Sequence, residues 1–281
     1  MDWGPDEQRR ADKPLNGFLY DRPSDISSNL DTKENLSPYH QCQAVTGLMM
    51  DKALATQFKA LVAEHGIYTW RNAKGDAKDL LKQARVIGGE NYQSGIGSGF
   101  HRYAHLRDIG QEVEPGLISP ELEPWLDCYE KAMARFEVLA DECFVVCDDL
   151  DNPDTPSDLR CAGSFDRLVR DRETGEVVVA DIKTGKQENE YAMSPTVQVA
   201  IYAHGTMYEQ ETGRRWPIHP DVSLTRGLLI HVPIAGGGDP CCDIYPLDLV
   251  EGWRLAQLSA DITASRKMRV YKKDAVVRVK A

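Results

Sequence analysis

No stretch of this chain approaches the ~18–20 consecutive apolar residues that a membrane-crossing helix needs, so nothing in it points to a bilayer. The opening segment, MDWGPDEQRRADKPLNG, lacks the apolar centre of a secretory signal. Seven cysteines form an odd set, with no C-x-x-C pair and no framework spacing. That argues against a disulfide scaffold and sets the expectation of a reducing cytoplasm. No G-x-x-x-x-G-K-[ST] loop occurs, so the sequence carries no sign of a P-loop nucleotide site. Internal repeats are absent too.

Positive charge is also in short supply, the net charge being −11 over 281 residues. Its distribution matters more than its total. The last 17 residues, SRKMRVYKKDAVVRVKA, carry a local +6 and leave about −17 on the rest. The basic end is either a solvated tail or a phosphate-binding one. The acidic majority does not exclude DNA, because metal-dependent nucleases need carboxylates.

The chain has ample apolar content, 42%, for a core. Residues 1–36 are rich in Asp, Pro, Ser and Asn without a sustained period, and read as an extended or loosely docked arm. A helix is expected from Ser37–Pro38 to a stop at Gly66, and a second over 76–89. The glycine cluster of NYQSGIGSGFHRYAHLRDIG opens a segment holding His101 and His105. SPELEPWLDCYEKAMARFEVLAD reads as a helix capped by Ser119. From 142 the period becomes two, giving strands at ECFVVC, CAGSFDRLVRD and GEVVVADIK around an RETG turn. A helix from Ser194 to Gly213, a strand pair at VSLTRGLLIHVPI and CCDIYPL, and a helix capped by Asp248 complete the chain. The expectation is one mixed α/β domain over 37–281 with a helical N-terminal part.

VVVADIKTGK, residues 177–186, is the unusual stretch. A buried strand ends in Asp181 and Lys183, which share one face, while Ala180 and Ile182 take the other. Centring the turn between Glu173 and Thr174 puts Asp166 opposite Asp181. Directly opposed residues have Cβ atoms ~4.5–5.5 Å apart, where like charges repel. A hard divalent cation, Mg²⁺ or Mn²⁺, relieves that repulsion and supplies Lewis acidity toward a phosphodiester. A salt-bridged hairpin with no further role is the alternative on these residues alone.

GSFDRL followed by VVVADIKTGK resembles the core of the PD-(D/E)xK nuclease superfamily, in particular its RecB-like branch, which includes phage and CRISPR-type exonucleases. Two further segments are similar: Gln198 and Tyr202, four apart in QVAIY, and Gly97 to His101 in GSGFH. The resemblance implies a single restriction-endonuclease-like domain, a central mixed sheet flanked by helices. It implies His101, Asp166 and Asp181 as metal ligands together with the Ile182 carbonyl, and Lys183 as the catalytic lysine. Gln198 and Tyr202 would line the site, touching DNA or positioning Lys183; without the family they read equally well as a half-buried polar edge. Glu142 stands where relatives often have an acid. His105 has no counterpart.

Some relatives bind an iron–sulfur cluster through four cysteines. Here Cys241 and Cys242 are adjacent, and Cys143 and Cys147 read as buried strand residues, so no such cluster is expected. The reading is a Mg²⁺- or Mn²⁺-dependent deoxyribonuclease, an exonuclease acting on DNA ends or single strands in recombination or repair, with a recombination or helicase protein as a possible partner. The alternatives are a catalytically silent DNA-binding or scaffold subunit and a structure-specific endonuclease using the same site.

Overall fold

The computed structural model describes residues 20–30, 36–67, 69, 75–111, 116, 118–148, 150, 160–185, 192–236 and 238–267. The N-terminal half of the expected arm, most of the acidic loop before Arg160 and the basic tail beyond Lys267 lie outside the described residues.

Alternating apolar residues produce three consecutive antiparallel strands, β1 (Phe136–Cys147), β2 (Cys161–Asp171) and β3 (Val177–Lys183). β2 and β3 pair from Arg170↔Val177 to Arg167↔Ala180, the register expected from the sequence. β3 is buried from Val177 to Ile182 because it lies inside the sheet. Two short strands, β4 (Thr206–Tyr208) and β5 (Arg215–Pro217), extend the sheet beyond β1. On the other side β6 (Arg226–His231) joins β3 in parallel and β7 (Asp243–Asp248) pairs antiparallel with β6. The order of the seven strands is β5-β4-β1-β2-β3-β6-β7.

Helices cover both faces. The helices in chain order are α1 (Pro23–Ser27), α2 (Leu36–Met50), α3 (Lys52–His65), α4 (Gly75–Ile87), α5 (Glu90–Asp108), α6 (Glu123–Met133), α7 (Met193–Ala203) and α8 (Leu249–Lys267). Val178, Ala180 and Ile182 pack with Phe100 of α5 and Leu126 and Tyr129 of α6. Val177 and Val179, one residue out of phase, pack with Val199 and Ala200 of α7. Each such side chain contributes roughly 1.5–3 kcal/mol on full burial. α8 lies against α7 through Ala256 and Ala260, and Asp248 caps it by accepting from the Val250 and Glu251 N–H groups. Leu54, Leu61, Ala77, Leu80 and Ala84 build a separate helical cluster from α3 and α4. This is the mixed α/β sheet flanked by helices, with a helical N-terminal part, that the sequence implied.

The structure corrects three boundaries. The helix expected over 37–65 is broken in two at Asp51, whose side chain accepts from the Leu54 N–H at 3.0 Å and restarts the chain as α3. The helix expected over 119–141 stops at Met133, and β1 already begins at Phe136. Helical spacing carried through RFEVLAD in the sequence hid an alternation that starts there. The helix expected to reach 212 ends at Ala203, and the chain turns back as the β4–β5 hairpin. Gly205 makes that turn possible: a Cβ on it would stand 3.2 Å from the Tyr202 and Val146 carbonyl oxygens and from Val145 Cβ. Ser194, the expected cap, donates instead to Ser27 Oγ at 2.9 Å. Within the segment read as an arm, α1 buries Ile26 against α7 and α8.

Asp171 locks the junction between α6, β1 and the β2–β3 turn. It accepts from Arg135 Nε at 3.0 Å and Nη2 at 2.6 Å, and from the Glu173 N–H at 3.0 Å. The Arg135 hydrogen bond, chiefly, holds its carboxyl down at about 2. A group with a depressed folded-state pKa contributes stability above its unfolded value, ~3.9, and loses it as pH falls through the folded one. Asp171→Asn should therefore lower Tm clearly at pH 6. The two melting curves should converge between about pH 4 and pH 2; a Tm difference independent of pH would show that this ion pair does not stabilise the fold.

Candidate active site

Three carboxylates lie level across three adjacent strands. The β1–β2 ladder pairs Asp141↔Arg167 and Cys143↔Phe165, which leaves Glu142 level with Asp166. One step beyond Arg167↔Ala180, the β2–β3 register sets Asp166 level with Asp181. At that step a side chain joins the strands: Asp166 Oδ2 accepts from the Ile182 N–H at 2.6 Å. Glu142 has a φ of 47°, the only positive value at a non-glycine among the described residues. A non-glycine residue in this region costs on the order of 1–3 kcal/mol and persists only where its surroundings enforce it. Here the enforcement sits on either side, in the pairing of Asp141 and Cys143 with β2.

α5 brings the imidazole. The glycine cluster is part of the helix itself, and Gly97 lies against Thr184, just past the end of β3. A Cβ on Gly97 would stand 2.6 Å from Thr184 Oγ1. The glycine of GSGFH and the threonine of DIKTGK are thus in contact, and one helical turn later His101 Nδ1 lies 3.3 Å from Asp166 Oδ1. His101, Glu142 and Asp166 each offer one ligand atom, all within 4.8 Å of one another. His105, a further turn along, is paired with Asp141 instead.

On the other side of Asp166 a second chain of contacts runs from β3 to α7. Lys183 Nζ is 2.6 Å from Asp181 Oδ2 and donates to Gln198 Oε1 at 3.2 Å. Gln198 Nε2 in turn donates to the Tyr202 hydroxyl at 2.8 Å. Gln198 and Tyr202 stand one turn apart on α7, which is why spacing alone put them on one face. His101, Asp166, Asp181, Ile182, Lys183, Gln198 and Tyr202 are brought into this one region together with Glu142, while His105 turns to Asp141. For Glu142, which the resemblance had marked only as a place where relatives often have an acid, the β1–β2 register supplies the geometric reason.

The cluster is electrostatically unbalanced: three carboxyl groups face His101 and Lys183. Burial pushes the Asp181 carboxyl up, and the nearby Asp166 adds to this against the pull of Lys183, leaving it raised. Lost hydration and then the Asp166 charge raise Glu142 too. Burial alone would raise Asp166, but the His101 hydrogen bond and charge, Lys183 and the Ile182 N–H hold it down. Burial alone would lower His101, yet Asp166, Asp181 and Glu142 together raise it. Lost solvation likewise would lower Lys183, and Asp181 and Asp166 raise it instead. An excess of carboxylate oxygens with one imidazole suits a hard divalent cation, and the residues present fit one.

A family model described as the PD-(D/E)XK nuclease superfamily matches residues 29–224, a span that takes in all of these residues. No curated protein matches the chain.

The Gly97–Thr184 contact can be checked directly. Gly97→Ala should displace α5 or force Thr184 to turn, costing about 1–3 kcal/mol as overpacking does. Thr184→Ala added to it should restore most of the lost stability. A double variant no more stable than Gly97→Ala would show that the two residues do not set the helix position.

Proposed function

Because the chain belongs to the PD-(D/E)XK nuclease superfamily, we propose that it is a divalent-metal-dependent deoxyribonuclease of the RecB-like branch, an exonuclease working in recombination or repair. The observation that carries the reading is the row Glu142–Asp166–Asp181 with His101 at one end and Lys183 at the other. His101, Glu142, Asp166 and Asp181, with the Ile182 carbonyl, would hold Mg²⁺ or Mn²⁺, which when bound supplies Lewis acidity toward the phosphodiester and a lowered pKa for water.

The chain's own groups divide the remaining work. Lys183 has a raised pKa, so at neutral pH it is a cation. That fits it to stabilise charge building on the phosphate rather than to accept a proton. Gln198 turns its oxygen to Lys183 and its amide to Tyr202, which fixes its orientation. Tyr202 is buried and burial holds its hydroxyl protonated, which supports positioning of Lys183 through Gln198 over contact with DNA.

The decisive assay uses end-labelled linear and closed circular DNA with Mg²⁺, Mn²⁺ or EDTA. Cutting of linear DNA alone, abolished by EDTA, is expected. Cutting of closed circles would make the chain an endonuclease, and binding without cutting would make it a silent DNA-binding subunit. Asp181→Ala and Lys183→Ala should each reduce cleavage at least about a hundredfold, the scale for losing a positioned charge at a reacting phosphate; near-wild-type rates in either would sink the assignment.

The raised His101 and Glu142 values fix a pH dependence. Without metal these groups hold their protons to higher pH than usual, and a metal must displace them. Mn²⁺ affinity, titrated calorimetrically, should therefore climb as pH rises through and above ~6.5, the ordinary histidine value. An affinity flat from pH 6 to 8 would remove His101 from the ligand set.

A further inference from the structure

Arg167 follows Asp166 in the sequence and is wholly buried, with 0% of its surface exposed. A guanidinium in that position is costly unless its partners are exact, and an apolar side chain of similar size would often serve stability equally well. Its partners connect three elements. Nε donates to Asp108 Oδ2 at 2.6 Å, at the last residue of α5, and Nη1 donates to the Asp166 main-chain carbonyl at 2.7 Å. Tyr129 of α6 donates to the same Asp108 oxygen at 2.8 Å. Nη2 is buried without a hydrogen-bond partner, and the charge of Arg167 reaches the Glu142 carboxyl, drawing it down.

Asp108 lies seven residues from His101, ~10 Å along the helix, and touches none of the groups in the acidic row. The helix that carries His101 is therefore held to the sheet on both sides of that residue. Gly97 rests on Thr184 on one side, and Asp108 is gripped by Arg167 on the other. Arg167 grips the main chain of Asp166 with the same planar fork. A guanidinium can hold both bonds in one fixed geometry, whereas a lysine ammonium on a flexible stem cannot.

We propose that Arg167, Asp108 and Tyr129 are positioning residues that fix the interval between His101 and Asp166 and thereby set the affinity for the divalent cation. This rests on the metal-dependent nuclease reading. Groups one step removed from a ligand commonly change metal affinity ten- to a hundredfold when altered, and this triad orients a ligand-bearing helix and a ligand-bearing strand together.

The test is calorimetric Mn²⁺ titration of full-length wild type, Asp108→Asn, Arg167→Lys and Tyr129→Phe, beside cleavage kinetics over a range of Mn²⁺. Asp108→Asn and Arg167→Lys should bind Mn²⁺ roughly tenfold more weakly, Arg167→Lys doing so although it keeps its charge. Saturating Mn²⁺ should return kcat close to wild type, and KM for DNA should not move. A merely structural role would lower Tm and leave Mn²⁺ affinity unchanged in folded Asp108→Asn, and that result overturns the proposal. Should both of those variants fail to fold, Tyr129→Phe, which removes one hydroxyl, should still weaken Mn²⁺ binding a few-fold, and wild-type affinity there overturns the proposal equally. Wild type that binds no Mn²⁺ would instead overturn the nuclease reading itself.

Discussion

Three carboxyl groups on neighbouring strands of one sheet repel each other, and much of this molecule is arranged around that repulsion. Strand spacing leaves level residues only ~4.5–5.5 Å apart at Cβ, and Asp181 is almost wholly withdrawn from water. The protein answers with an imidazole and an ammonium delivered from opposite directions. His101 arrives on α5 and meets Asp166; Lys183 comes from the same strand as Asp181 and meets its Oδ2. Even so, the Asp181 and Glu142 carboxyls stay raised, through burial first and the Asp166 charge after it. Acids gathered around one imidazole in this way make the cluster a candidate site for a divalent cation.

The packing explains why those two groups can be held so close. The two faces of β3 are divided residue by residue, Val178, Ala180 and Ile182 toward α5 and α6, Val177 and Val179 toward α7. Each helix therefore rests on a rigid surface and carries its polar group to the strand ends. α5 comes within contact of Thr184 because Gly97 has no side chain. α7 presents Gln198 to Lys183 in the same way, with Tyr202 behind it. The apolar layers and the polar cluster are thus consequences of one register.

That register was legible in the sequence because a short turn fixes pairing locally. Once RETG is taken as the turn, Asp166 and Asp181 must meet, and the ladder from Arg170↔Val177 to Arg167↔Ala180 follows it. The β1–β2 pairing was not legible in the same way. The stretch joining those strands is too long for its sequence to set a register, and RFEVLAD continues a helical spacing from α6 while also alternating as a strand. Burial of Phe136 in the sheet core decides between them, and no local feature announces it. The positive φ of Glu142 and the Arg167–Asp108–Tyr129 network are long-range facts, between residues up to 59 positions apart, and sequence spacing carries no trace of them. Asp51 and Gly205 are different: both carry local chemistry, a capping side chain and a missing Cβ, that propensity over the longer helical pattern outweighed.

The acids of the row do not have equivalent tasks. Asp166 is fixed on every side: its Oδ2 holds the Ile182 N–H, its Oδ1 faces His101 and its carbonyl is gripped by Arg167. These bonds favour its charged form, and its pKa is lowered accordingly. Among the described residues Asp181 is paired through Oδ2 with Lys183, and its pKa is raised. Glu142 reaches the cluster from a backbone that is itself strained. Asp166 is therefore the anchor whose position the fold determines, while burial and the Asp166 charge leave Asp181 and Glu142 with raised pKa values. The stability lost by leaving them so is borne by the apolar layers around them, which is why the most buried strand of the sheet can end in an acid and a lysine.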